Sequence, residues 1–269
     1  MILTAASLDT VTIDNPEYGY VSTANLAIEP VETSHGWDTW NNGIEYDFRT
    51  CLLSRFNLDE VVAYGLDQFI LAHRGESLTM TLDSDSGFFP FGPDLGDTGD
   101  FIIQITDRKF GEFDQFKQYS KSISLLLETA PAYTLPSVDR MHTLQIGSVL
   151  YLPYPQTGIS PNLVPGIQTG VSYGGDGYSI DIQRRAHEAS FTLQCNESLA
   201  AHLMAFLTGA LGRNQDITIV APDEYYLFGT ENGSSGTYVC KLIQKKIECT
   251  HVENEQFEIP LSFWMKSKA

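Results

Sequence analysis

The feature that most constrains this chain is an internal match between its two halves. Laying residues 134–269 over residues 1–133 brings similar residues into register in the same order. Leu8, Thr10 and Ile13 fall on Met141, Thr143 and Ile146, and Gly43 and Asp47 fall on Gly177 and Asp181. Asn57, Arg74, Leu78 and Thr79 fall on Asn196, Arg213, Ile217 and Thr218. Phe91-Gly92, Gly99 and Phe101 fall on Phe228-Gly229, Gly236 and Tyr238, and Ile123, Leu125 and Leu127 on Ile259, Leu261 and Phe263. The offset drifts by only a few residues, as loop insertions would make it. A chain made of one module twice suits an assembly of quasi-equivalent copies and argues against a single asymmetric catalytic cleft.

Half of 269 residues is enough for each copy to bury its own core. With 42% hydrophobic and 12% aromatic residues the composition is globular. The charge is lopsided: 34 acids against 16 bases give −18, and residues 1–133 alone hold 21 acids against 7 bases. Nucleic-acid affinity comes mainly from Lys and Arg displacing counterions at phosphates, so this balance argues against a chain that grips DNA. It suits a surface along which DNA slides without sticking. Residues 1–7 lack the basic start of a secretory signal, and the most apolar stretch, 199–211, is too short to span a bilayer. The expectation is a protein made in the cytoplasm, with no membrane partner.

Copy 1 is placed at residues 1–133 and copy 2 at 134–269, with Pro131 and Pro136 breaking regular structure between them. Each copy reads in the same order. Extended segments come first (Val11 and Ile13; Leu144 and Ile146), followed by a polar, Gly/Pro-rich connection at 33–43 and at 154–177. Strands follow at 44–56 and 178–195, then one helix. Asn57, with Glu60 three residues on, is the expected first cap, and Asn196 the second. Val61, Val62, Tyr64, Leu66, Phe69 and Ile70 supply one helix's apolar face; Leu199, Leu203, Phe206, Leu207 and Ala210 supply the other's. An alternating strand, an aromatic-x-Phe-Gly loop (Phe89 to Gly92; Tyr226 to Gly229) and two final strands complete each copy. The predicted fold class is mainly β: an antiparallel sandwich or barrel with one flanking helix per domain.

Sites of chemistry are scarce. Asp83-Ser-Asp85-Ser-Gly87 begins like a calcium loop, but the EF-hand frame fails at its fifth and sixth positions. Cys51, Cys195, Cys240 and Cys249 form no CxxC pair and none is shared between copies, so they read as buried thiols and no cofactor or metal is expected. The six histidines show no ligand spacing, and Gly233-Ser-Ser-Gly236 lacks the GxSxG elbow. No nucleophile, base and orienter are tied together, so no enzyme is expected. Trp37, Trp40, Tyr46 and Phe48 cluster, as strand aromatics in a core or interface do, or as residues lining a sugar-binding face. Residues 83–100 carry five acids and no base. From that loop and its counterpart, Asp83, Asp85, Asp97, Asp100, Asp223 and Glu224 are the candidates for a lumen or ring interface.

Module length, strand–helix–strand order and acidic tandem duplication together resemble the tail-tube fold of long-tailed bacteriophages, in versions that fuse two tube domains in one chain. The resemblance covers nearly the whole chain and rests on no invariant motif. It implies a structural virion protein in which a homotrimer builds a pseudo-hexameric ring of the tail tube or the distal baseplate tube or hub. Its neighbours would be other ring proteins, and the tape-measure protein and phage DNA would pass through the lumen without specific binding. The alternative, from the aromatic cluster, is a carbohydrate-binding β-sandwich module of a tail tip or adhesin.

Overall fold

Alternation of apolar and polar side chains dictates most of what forms. In 78–82, Leu78, Met80 and Leu82 are buried while Thr79 and Thr81 point away; in 217–221, Ile217, Ile219 and Ala221 do the same. The computed structural model describes residues 1–7, 9–13, 20–26, 28–33, 36–41, 48–83, 87–106, 112–113, 119–137, 144–146, 150–152, 157–171, 177–209, 215–252 and 256–269. The first half contributes β1 (Ile2–Thr4), β2 (Thr10–Thr12), β3 (Val21–Asn25), β4 (Ile28–Thr33), β5 (Gly36–Asn41) and β6 (Phe48–Leu58). It continues with α1 (Glu60–Ala72), β7 (Leu78–Leu82), β8 (Gly99–Ile105), β9 (Glu112–Phe113) and β10 (Tyr119–Thr129). The second half contributes β11 (Leu144–Ile146), β12 (Leu150–Leu152), β13 (Thr157–Val171) and β14 (Gly177–Asn196). It ends with α2 (Glu197–Thr208), β15 (Ile217–Ala221), β16 (Gly236–Leu242), β17 (Lys246–Val252) and β18 (Gln256–Lys268).

The protein is mainly β. Among the described residues, 16 strands join one antiparallel sheet, and β4 and β5 form a separate hairpin. The path runs β12-β11-β15-β16-β18-β17-β3-β6-β10-β8-β7-β1-β2, with β14 beside β18, β13 beside β14 and β9 beside β10. The sheet is open, which departs from the sandwich or barrel expected of each half. The reason is a seam between halves: β17 pairs with β3 over five residues, from Lys246–Asn25 to Thr250–Val21. A strand committed to the other half cannot fold back to close its own.

Pairings recur between the halves. The series β6-β10-β8-β7-β1-β2 in the first is matched by β14-β18-β16-β15-β11-β12 in the second. Leu78 pairs with Ile103 and Leu82 with Gly99; Ile217 pairs with Cys240 and Ala221 with Gly236. Those registers agree with the sequence match. At the last strands they do not. Leu125 pairs with Ile105, whereas Phe263, not Leu261, pairs with Leu242. The ladders therefore put Leu125 with Phe263, two residues from the sequence alignment. A two-residue slip keeps every side chain on its face, so hydrophobic pattern alone cannot detect it. The matches at Leu8, Gly43, Asp47, Met141, Thr143 and Arg213 lie outside the described residues.

Two corrections concern local structure. The first helix is capped by Asp59, whose carboxylate accepts from the amides of Val61 (2.9 Å) and Val62 (3.0 Å). Asn57 stays in β6, which a bulge opposite Tyr119 and Lys121 carries on to Leu58. Asn196 caps the second helix as expected, accepting from Leu199 N at 3.1 Å; such a cap is worth about 1 kcal/mol. The connections expected at 33–43 and 154–177 are largely strand: the β4–β5 hairpin and β13. The sheet accommodates Pro161 and Pro165 because β13 pairs only with β14 among the described residues, and an edge strand tolerates proline.

The core lies between the sheet and the helices. Leu66, Phe69 and Ile70 of α1 pack on Cys51, Leu53, Ile103 and Ile123, and Leu199, Leu203 and Leu207 of α2 on Leu193, Ile259 and Leu261. Both helices share one face, since Arg49, Cys51 and Leu53 of β6 lie on the same side as Ala24 of β3, which belongs to the core under α2. Among the described residues the other face carries no helix.

Candidate functional site

The face opposite the two helices is the first surface of interest, and strand parity decides what lies on it. Opposite the core side chains stand Thr50 and Ser54 of β6, Ser122 and Ser124 of β10, Ser190, Thr192 and Gln194 of β14, and Ser262 of β18. Neighbours bond across strands: the hydroxyls of Ser190 and Ser262 are 2.9 Å apart, and Gln194 donates to Glu258 at 2.9 Å. Among the described residues its acids are Asp100, Glu112, Glu128, Glu188, Glu248 and Glu258. Among the described residues, Lys241 and Lys246 of this face sit against carboxylates: Asp216 at 3.5 Å and Glu248. Burial alone would raise the Asp216 carboxyl, but Lys266 bonded to it and Lys241 beside it hold it below its ordinary value. The face is largely polar, with Leu52 exposed on it beside Val21 and Ser124, and among the described residues its lysines are matched by acids, which offers phosphates little to grip.

Of the residues expected from sequence, Asp100 lies on this face and accepts from Thr81 Oγ1 at 2.7 Å. Asp83 is exposed beyond the end of β7, away from the strands. Asp97 is half-buried and accepts from Gly87 N at 3.1 Å, closing its own loop. Asp223 and Glu224 are exposed in the turn after β15, Glu224 with a positive φ of 74°. Asp85 lies outside the described residues. The five described acids are thus not brought together. Glu128, Glu188, Glu248 and Glu258 were missed, although their alternation with buried Leu125, Ala189, Cys249 and Ile259 was the signal.

The second feature is a buried junction between halves. The Arg49 guanidinium donates to both Asp94 carboxylate oxygens, at 3.0 and 2.6 Å, to the Phe91 carbonyl at 2.9 Å and to Thr208 Oγ1 at 2.9 Å. Thr208, at the end of α2, donates in turn to the Met204 carbonyl at 2.7 Å. The Arg49 and Asp94 side chains are almost fully buried. The Phe-Gly signature makes room for this. Gly92 has φ +109°, and a Cβ there would stand 2.8 Å from Asp94 Oδ1 and 3.0 Å from Arg49 Nη1. Gly229 repeats the arrangement: φ +90°, with a Cβ that would stand 2.9 Å from Glu231 Oε2.

The cysteines are free and buried. Burial pushes Cys195 up from 9.0 to about 12 and raises Cys51, Cys240 and Cys249 in the same direction. Tyr20, whose hydroxyl accepts from Phe89 N at 2.9 Å, is also raised by burial. Because folded values exceed unfolded ones, the thiols favour the native state fully below pH 9, and that contribution is lost as pH climbs from 9 towards 12. Each buried thiol costs about 1.4 kcal/mol per pH unit across that window. Urea unfolding at pH 8 and pH 10.5 should show a clear drop in stability at the higher pH; equal midpoints would contradict it.

No group of three or more His, Cys, Asp or Glu among the described residues could hold a metal ion. No described helix is long and apolar enough to cross a membrane. The aromatic cluster cannot be assembled: the side chains of Trp37 and Trp40 and all of Tyr46 lie outside the described residues, and Phe48 is exposed at the start of β6. The sequence matches no protein-family model and no curated protein.

Proposed function

We propose that this chain is a structural ring subunit of a long phage tail, built from two tube-like domains at residues 1–133 and 134–269 that arose by duplication. Three chains enclose a channel as six single domains would, in the tail tube or the baseplate tube, and the tape-measure protein and DNA pass through it. The observation that carries this reading is one sheet running through both halves with recurrent pairings, helices on one face and a polar surface on the other. Curled around an axis, such a sheet puts its helices outside and its hydroxyls, amides and acids towards the bore. Asp100, Glu128, Glu188, Glu248 and Glu258 then line the channel, where like charge keeps DNA from adhering. Closure into a ring would also remove strand edges that invite aggregation. Mass photometry over a range of concentrations tests the reading. Particles of three times the chain mass are expected; a monomer at every concentration would overturn it.

A further inference from the structure

The two helices occupy corresponding places but are not equally covered. Counted from their caps, Asp59 and Asn196, α1 leaves Val61 81%, Val62 47%, Tyr64 65% and Leu71 38% exposed. The residues of α2 at those positions are Ser198, Leu199, Ala201 and Thr208; Ser198 is half-buried and the other three are buried. The first half of the chain provides that cover. Arg49 donates to Thr208, Gly92 backs onto Met204, and the Tyr133 side chain bonds Glu197 in the first turn of α2. Val61, Tyr64 and Leu71 form one exposed apolar stripe along α1, with Val62 to its side, and among the described residues nothing in its own half plays this part.

The strand edges differ in the same way. At the seam, β3 lies between β6 and β17, and β17 between β18 and β3. Their counterparts are β13, beside β14, and β9, beside β10; among the described residues neither has a strand on its other side. The covering apparatus also has a counterpart. Along the ladders Arg49 corresponds to His187, and Asp94, two residues after Gly92, to Glu231, two after Gly229. His187 Nδ1 stands 3.4 Å from Glu231 Oε1, and the Phe228 carbonyl accepts from Asn232 as the Phe91 carbonyl accepts from Arg49. The chain thus holds one complete junction and the two unlike halves of a second.

We propose that the exposed face of α1 is the docking site for the second half of another copy of this chain. Its Glu231 loop covers Tyr64 and Leu71, which share one face of α1, while its β13 pairs along β9. The occupant is a second copy because the internal junction already displays the complementary surface, built from corresponding residues. The contact is head-to-tail, so it propagates until it closes on itself. This rests on the ring reading above, to which it assigns the surfaces.

Tyr64→Glu tests it, with Leu71→Cys/Glu231→Cys as a cross-linking pair treated with a short bismaleimide. Tyr64 lies on the surface of the single chain, so the Tyr64→Glu variant should melt like wild type at concentrations where both are dissociated, while its assembly weakens about 30-fold or more, as for a hot spot. The cysteine pair should give a cross-linked ladder ending at three chains. If wild type forms trimers but Tyr64→Glu assembles equally well and the pair does not cross-link, this docking site is wrong and the ring reading stands. If wild type stays monomeric throughout, the ring reading itself fails and takes this proposal with it.

Discussion

Arg49→Ala is expected to destabilise the protein by about 3–5 kcal/mol, because it leaves the Asp94 carboxylate buried without its counter-ion. Four hydrogen bonds meet at that guanidinium, and they tie a strand and a loop of the first half to the last turn of α2. Lysine should not substitute well. It cannot offer the planar fork that spans both Asp94 oxygens while reaching Phe91 and Thr208. The effect should also be directional, since α2 borrows its cover from this junction. Hydrogen exchange is expected to speed up in 197–208 more than in 60–72. A loss under 1 kcal/mol in denaturant unfolding would show that the halves do not depend on this contact.

The second large effect is expected at Lys121 and Asp67, an ion pair at 3.1 Å under α1 whose side chains are buried. Asp67→Ala should cost about 3–5 kcal/mol by stripping a buried ammonium of its carboxylate. Counted from the helix caps and along the ladders, the second half has Met204 and Ile259 at these two places, both fully buried. The combined change Asp67→Met with Lys121→Ile should therefore recover most of that loss, coming within about 1 kcal/mol of wild type or exceeding it, because a well-packed apolar pair avoids desolvating two charges. Denaturant midpoints of the three proteins decide it. A double variant as unstable as the single would mean that the two halves do not build their cores alike.

What could be read from the sequence was local. Leu78, Met80 and Leu82, or Ile217 and Ile219, announce strands by alternation, and the helices by their apolar stripes. Asn196 was legible as a cap, whereas Asn57 misled because Asp59, two residues on, meets the same chemical requirement and a bulge decided between them. The seam strands β3 and β17 escaped notice: Ser22 and Ala24 are small, and Cys249 and His251 alternate with polar residues too weakly to stand out. The pairing that joins them spans more than 220 residues, from Val21 to Thr250, and no local pattern encodes it. The acids were harder still. Clustering in sequence drew attention to 83–100, but residues close in a loop point many ways, while Asp100, Glu188 and Glu258 meet on one face only because alternation and register place them there. Arg49 and Asp94, 45 residues apart, become partners through the fold alone.

The central claim is that two halves of one chain act as neighbouring subunits of a ring. Electron-microscopic class averages of the purified assembly test it most directly. Three chains should appear as six near-equal lobes around a hole, with the helices at the rim. Solitary particles, or an assembly in which the two halves occupy unlike positions, would contradict it.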